Sequence, residues 1–188
     1  MDLSSTRAVV LVEDLYEETE AWCPIYRLRE AGVQVVIAGT GAASYSGLHG
    51  YPIQTDAAAE DLIADDFDLV VVPGGYAPDV LRADRGVQSL VRDAHSQGKV
   101  IAAMCHGPWV LVSSGIVQGR TLTSLFRIRD DVENAGGRWV NEEVVVDGNL
   151  ITSRSPADIP AFCNAIVHLL RERSEAARLR TGVEVSAV

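Results

Sequence analysis

Short unbroken apolar runs punctuate the chain, and most are followed by a stretch whose apolar residues recur at helical spacing. Residues 8–12 (AVVLV), 33–38 (VQVVIA), 69–72 (LVVV) and 100–104 (VIAAM) have the length and β-branched content of strands buried on both faces. Between the first two, Ala21, Ile25 and Leu28 share one helical face and Gly32 closes the helix. Pro24 lies inside this helix, where it removes a backbone hydrogen bond and is expected to bend the first turns. Residues 78–81 and 87–95 read as helical, and residues 106–114 form a further helix stopped by Gly115. The stretch 39–61 is broken by Gly41, Gly47, Gly50 and Pro52 and predicts a small hairpin around Tyr45 and Ile53.

Beyond Gly115 the rhythm changes. Residues 121–124 predict a short strand and 130–135 a short helix. Residues 139–151 predict two strands about the turn Asp147-Gly148-Asn149. Residues 156–170 form a last amphipathic helix, with Ser155 as its cap and Pro156 in its first position. The remainder, 171–188, reads as a helical extension or a loose tail. Strands alternating with helices predict a mostly parallel sheet covered on both faces, in one domain, with ligands bound beyond the carboxyl ends of the strands.

Length and charge narrow the function. At 188 residues and 47% hydrophobic composition the chain can bury a layered core. A formal charge of −10, with no cluster of Lys and Arg, argues against nucleic acid or an anionic membrane as partner. No apolar run is long enough to span a bilayer, and the first residues lack a signal-peptide pattern, so a cytoplasmic location is expected.

The three cysteines, Cys23, Cys105 and Cys163, show no zinc or disulfide spacing. Cys23 and Cys163 read as packing residues, and His49 and His95 as surface residues. Cys105 differs because it sits between the strand 100–104 and the following helix. A side chain on that turn is pushed into a cleft where backbone N–H groups and the positive helix end favour a thiolate. Pro73-Gly74-Gly75-Tyr76 ends another strand, and its peptide N–H groups can face an anion at the same end of the sheet. Glu17, Glu18 and Glu20 crowd a helix start, where they complement the dipole.

Three ordered stretches carry a resemblance: VVVPGGYAPDVLR (70–82), KVIAAMCHGPWVLVSSGIVQGRTLTS (99–124) and DDVENAGGRWVNEEVVVDGNLITSRSPAD (130–158). From about Arg7 to Leu170 the chain resembles the DJ-1/PfpI superfamily, in its PfpI (intracellular protease I) branch. The resemblance implies a flavodoxin-like three-layer α/β/α sandwich with Cys105 as nucleophile at the elbow. It places Glu20 against the sulfur, through the match of E-T-E-A-W-C-P, and gives Glu17 a lesser part. His106 becomes the proton shuttle, and the amides of Gly75 and His106 become oxyanion donors. Asp79 stands where the branch usually has a glutamate reaching a neighbouring subunit's histidine, which implies a homo-oligomer, a dimer or a hexamer. Leu125 replaces a tyrosine common near the pocket.

No metal or organic cofactor is implied. The implied activity is on small reactive carbonyls, of the glyoxalase III or deglycase type, taking methylglyoxal to lactate. The alternatives are a peptidase using the same residues and a redox sensor in which Cys105 is oxidised. A class I glutamine amidotransferase needs a later His-x-Glu, whereas His168 is followed by Leu169-Leu170.

Overall fold

The computed structural model describes residues 3–185. Strand β1 (Arg7–Leu11) leads through a loop to helix α1 (Glu18–Glu30), which stays continuous through Pro24, and then to β2 (Gln34–Gly39). A hairpin of β3 (Ser44–Ser46) and β4 (Pro52–Gln54) follows, pairing Tyr45 with Ile53 as the turn residues predict. Next come β5 (Ala57–Ala58), β6 (Leu69–Val72), α2 (Ala77–Leu81), α3 (Arg85–Ser96), β7 (Val100–Met104) and α4 (Pro108–Ser113). The last part holds β8 (Thr121–Leu122), α5 (Arg129–Asn134), β9 (Arg138–Trp139), β10 (Val144–Asp147), β11 (Leu150–Ser153) and α6 (Ile159–Val185).

Seven strands form the central sheet in the order β10-β11-β7-β6-β1-β2-β5, all parallel except the edge strand β10. Helices α1 and α6 pack together on one face, and α3 and α4 cover β7 on the other, giving the three layers of a flavodoxin-like sandwich. Every residue of β6 and β7 is buried, as strands covered on both faces must be. The strand order turns back between β1 and β6. Such a switch point, where the loops after the two strands run in opposite directions, is where open sheets of this kind bind ligands beyond the carboxyl ends of the strands. Here the two loops are tied together by a bridge between Tyr16 and Gly75.

Several local expectations change. Trp139 does not join the hairpin about Gly148. β9 pairs in parallel with β8 in a small separate ladder, and Trp139 Nε1 donates to Ser124 Oγ at 3.0 Å. Ser155 is extended and its side chain makes no cap bond, so the last helix enters through a 3-10 turn at Pro156–Asp158. That entry is held instead by Arg154, whose Nε bonds Asp158 at 2.9 Å. Cys23 is exposed rather than packed, because α1 turns it toward the rim of the α1–α6 seam, whereas Cys163 is buried there. His95 is half-buried, held by Asn149. Residues 171–185 continue α6 as a helix, and 186–188 lie outside the described residues.

Candidate active site

Strand β7 stops at Met104 and α4 starts only at Pro108, so Cys105, His106 and Gly107 make the turn themselves. The predicted helix start at His106 is therefore two residues early. Cys105 has φ +56°, a left-handed conformation that costs an L-residue with a Cβ about 1–3 kcal/mol. The surroundings hold it there: Cys105 N–H donates to Ser153 O at 3.1 Å, and Cys105 O accepts from Leu125 N at 2.9 Å. Gly107 must be glycine, since a Cβ would stand 2.8 Å from Met104 O. Leu15 is the other non-glycine residue with positive φ among those described, at +63°, and its carbonyl accepts from Tyr76 N at 2.9 Å. Both strained residues therefore belong to loops at the same end of the sheet, one after β1 and one after β7.

Glu20 is brought to the sulfur from α1. Its carboxyl is wholly buried and interacts with the Cys105 thiol, Oε2 accepts from Gly74 N at 2.7 Å, and Oε1 has no hydrogen-bond partner among the described residues. Gly74 makes this possible, because a Cβ there would stand 2.5 Å from Glu20 Oε2 and 2.6 Å from Cys105 Cβ. Burial pushes Glu20 up to about 7, with the Glu17 charge adding to it and the bonds from Gly74 and Cys105 opposing it.

Burial, followed by the charge on Glu20, pushes the Cys105 thiol up to about 12, against N–H bonds from Gly75 and His106 that favour its thiolate. The simple expectation of a thiol lowered by a helix end is thus reversed, by burial first and by the Glu20 charge second. α4 has only six residues and starts three positions past the sulfur, too little to offset burial. The two groups are coupled, and of the two the thiol holds its proton the more tightly. When Glu20 is protonated, the opposing charge vanishes and the carboxyl can donate to the sulfur.

His106 turns back beside Cys105, with Nδ1 3.6 Å from Sγ. Its ring lies between Tyr76 (centroids 6.1 Å apart) and Trp109 (5.2 Å). Burial, then the positive charge of Arg127, lowers its affinity for a proton, while the Gly75 carbonyl accepts from the ring and opposes them. The neutral imidazole is the form ready to take a proton.

Gly75 is therefore used twice, its N–H toward the sulfur and its C=O toward the imidazole. Its φ of +80° permits this, and a Cβ would stand 2.5 Å from Glu17 N. The sequence pointed to the N–H of Gly75; the carbonyl as an orienter of His106 was not predicted. The paired glycines were the only signal that could have suggested it.

Asp79 does not meet His106 within the chain. It is exposed on α2, and its own amide bonds Tyr76 O at 3.0 Å. Glu17 caps α1, with Oε2 accepting from Glu20 N at 2.8 Å and from Thr19 Oγ1 at 2.5 Å. Glu18 does more than complement the helix dipole: it accepts from His49 N at 2.6 Å and pairs with the exposed imidazole at 2.9 Å, pinning the 47–50 turn. Glu17, Glu18 and His49 each offer one ligand atom within 4.8 Å of the others, the one such group among the described residues. All three are already engaged, Glu17 at the helix start and Glu18 with His49 at the turn. Leu125 is half-buried beside the elbow it bonds. A broad concavity of about 650 Å³ lies elsewhere, between α3 and the turns at Ala59 and Ala64, and holds no cysteine or histidine.

The chain matches the DJ-1/PfpI family over residues 6–169. It belongs to that family. It is 39% identical over 165 residues to deglycase TK1284 of Thermococcus kodakarensis, covering 88% of this chain and 99% of the relative. It is 37% identical over 169 residues to protein/nucleic acid deglycase 2 of Escherichia coli, covering 88% and 98%. Among solved structures, Drosophila melanogaster DJ-1beta superposes with a TM-score of 0.84 at 31% identity, covering 97% of this chain and 98% of that one. The family includes enzymes, and the sandwich described above is its fold.

Proposed function

We propose that this member of the DJ-1/PfpI family is a cofactor-independent cysteine enzyme acting on small reactive carbonyls, a deglycase or glyoxalase III. The observation that supports it is the elbow itself: a cysteine with two backbone N–H groups directed at its sulfur, a buried carboxyl on one side and an imidazole on the other. The deglycase names of the relatives from Thermococcus and Escherichia coli point the same way.

In this reading Glu20 is protonated, the Cys105 thiol passes its proton to the neutral imidazole of His106, and the sulfur adds to the aldehyde carbon of methylglyoxal. The carbonyl π pair moves to oxygen, and the N–H groups of Gly75 and His106 stabilise that charge. His106 returns the thiol proton to that oxygen, then takes the proton from the carbon bearing sulfur to form an enediolate and delivers it to the neighbouring carbon, while the hydroxyl proton passes from one oxygen to the other. The result is a thioester, which water cleaves to lactate and free thiol. The sum is methylglyoxal plus water giving lactic acid, with no external oxidant or reductant.

The same reading makes the protein cytoplasmic, since among the described residues no helix is long and apolar enough to cross a membrane and the composition is acidic. It is one domain with a helical extension, and it assembles as a homo-oligomer. Exposed Asp79 is then free to reach a neighbouring copy's His106 and complement the Gly75 carbonyl. Peptide hydrolysis by the same residues is disfavoured: Cys105 is only 8% exposed, and an amide has a poorer leaving group than an aldehyde requires.

The deciding measurement is turnover of methylglyoxal, glycated amino acids and peptides by the purified protein. Cys105→Ala and His106→Ala are each expected to lower turnover at least about hundredfold. Stoichiometric oxidation of Cys105 by peroxide without turnover of any of these compounds would overturn the enzyme reading in favour of a redox sensor.

A further inference from the structure

A chain of contacts runs from His106 out to an acid. Trp109 N–H donates to His106 O at 3.0 Å at the entry to α4, and residues spaced by three at a helix start lie on the same side of it. The two ring centroids are 5.2 Å apart, with the planes tilted by 40°. The half-buried indole is held in turn from α5, which packs on α4: Trp109 Nε1 donates to Asp131 Oδ2 at 2.8 Å, a short bond to a carboxylate. An ionised acceptor draws the indole proton outward and leaves the ring richer in electron density, which makes its π face a better partner for a cation.

The proposed reaction needs such a partner. His106 becomes an imidazolium when it takes the thiol proton, yet burial and the charge of Arg127 oppose that cation, with the Gly75 carbonyl favouring it. The other charged groups nearby are placed for other contacts. Glu20, on α1, stands against the sulfur. On α2, Asp79 is exposed, and Arg82 lies over the same indole at 5.2 Å, tied to Ser113 Oγ at 3.0 Å, where it competes for the ring. On α5, Asp130 is exposed and Glu133 is paired with Arg129. The Tyr76 ring, 6.1 Å from the imidazole, is 58% exposed and therefore screened by water. A cation within about 6 Å of an indole centroid is attracted by the ring quadrupole, and the Trp109 ring meets that condition while sheltered.

We propose that Trp109 and Asp131 are positioning residues for the proton transfer: the carboxylate polarises the indole, and the indole holds the imidazolium that His106 becomes. This inference deepens the carbonyl-enzyme reading and rests on it for the transfer itself. The hold of the indole on the imidazole rests on the contacts alone.

The test reads the proton affinity of His106 directly, from the pH dependence of its ring Cε1–H signal by NMR, which is the signal missing from His106→Gln. A Cys105→Ala background removes titration of the sulfur. Trp109→Leu is expected to lower the affinity about threefold to tenfold, and Trp109→Phe, which keeps a weaker ring, by less. Asp131→Asn keeps an acceptor for the indole N–H without its charge, and is expected to lower the affinity about twofold to threefold. In the Trp109→Leu protein it is expected to add nothing further. An affinity unmoved or raised by Trp109→Leu overturns the proposal. So does an Asp131→Asn effect of equal size with and without the indole, since the carboxylate then acts directly through space.

A second arm keeps Cys105 and measures turnover of methylglyoxal at a pH where the imidazole is neutral. Asp131→Asn is expected to lower kcat about twofold to threefold with KM unchanged. An unmoved kcat beside a lowered affinity overturns the part assigned to proton transfer. A lowered affinity in a protein that turns over no carbonyl compound sinks the enzyme reading and leaves the indole's hold standing, whereas turnover with an affinity indifferent to both residues does the reverse.

Discussion

The two ends of β7 carry a histidine each, and they are treated in opposite ways. At the amino end, half-buried His95 meets Asn149, whose Nδ2 also donates to Lys99 O at 2.8 Å, while Arg120 bonds Asp147 O and pairs with its carboxylate at 3.5 Å. At the carboxyl end, His106 faces a sulfur at 3.6 Å, Glu20 Oε1 is without a hydrogen-bond partner among the described residues, and Cys105 is held at positive φ. Burial lowers the proton affinity of both imidazoles, so that shift does not separate them. What separates them is unspent bonding capacity together with backbone strain. The amino end is nearly satisfied, Arg120 Nε being its one orphan, and it stabilises; the carboxyl end keeps groups in reserve for something that arrives.

The sharpest way to break this contrast is Gly75→Ala. The positive φ and the close approach to Glu17 N leave no room for a methyl group, so both the N–H and the C=O at this residue must move. Activity is expected to fall at least about hundredfold, and stability by about 2–4 kcal/mol, read by turnover and by urea unfolding.

Glu20→Gln comes next. The folded-state value of about 7 lies above the ordinary 4.5, so between these values the folded protein binds more protons than the unfolded chain. The contribution of Glu20 to stability is thus fully present below about 4.5 and is lost as pH rises through about 7. The amide variant removes that loss. Its stability relative to wild type is expected to rise from pH 5 to pH 8 by roughly 3 kcal/mol at most, while activity falls about tenfold to hundredfold for want of a movable proton. A flat difference across that range would mean that Glu20 is not the group whose ionisation is penalised.

The smallest effect belongs to the other end. Asn149→Ala is expected to cost about 1–2 kcal/mol in stability by unpairing Lys99 O and His95, with turnover unchanged within about twofold. A large loss of activity there would erase the distinction between the two ends.

Much of this was readable in the sequence, for physical reasons that can be named. Continuous apolar runs such as 69–72 and 100–104 belong to strands covered on both faces, and the paired glycines at 74–75 announced a close approach of backbone. Cys105 stood out because the elbow is a local feature, whereas Glu20 and His106 were placed beside it by the resemblance that E-T-E-A-W-C-P and C-H-G-P carry, and the fold brings the three together. The misses were tertiary. Trp139 pairs with a strand seventeen residues back rather than with its sequence neighbours, because parallel pairing has no local signature. Cys23 and Cys163 look alike in sequence, yet only Cys163 points into the seam between α1 and α6. The upward shift of the Cys105 thiol was hidden for the same reason, since how deeply it is buried depends on every layer of the sandwich. For Asp79 a single chain is too little, because its expected partner belongs to another copy.

Gly75 divides two neighbouring peptide units, one supplying a donor to the sulfur and the next an acceptor to the imidazole. A swing of that loop by a fraction of a bond length would withdraw both at once. The two groups are therefore bound to one backbone unit, and neither can be repositioned without the other.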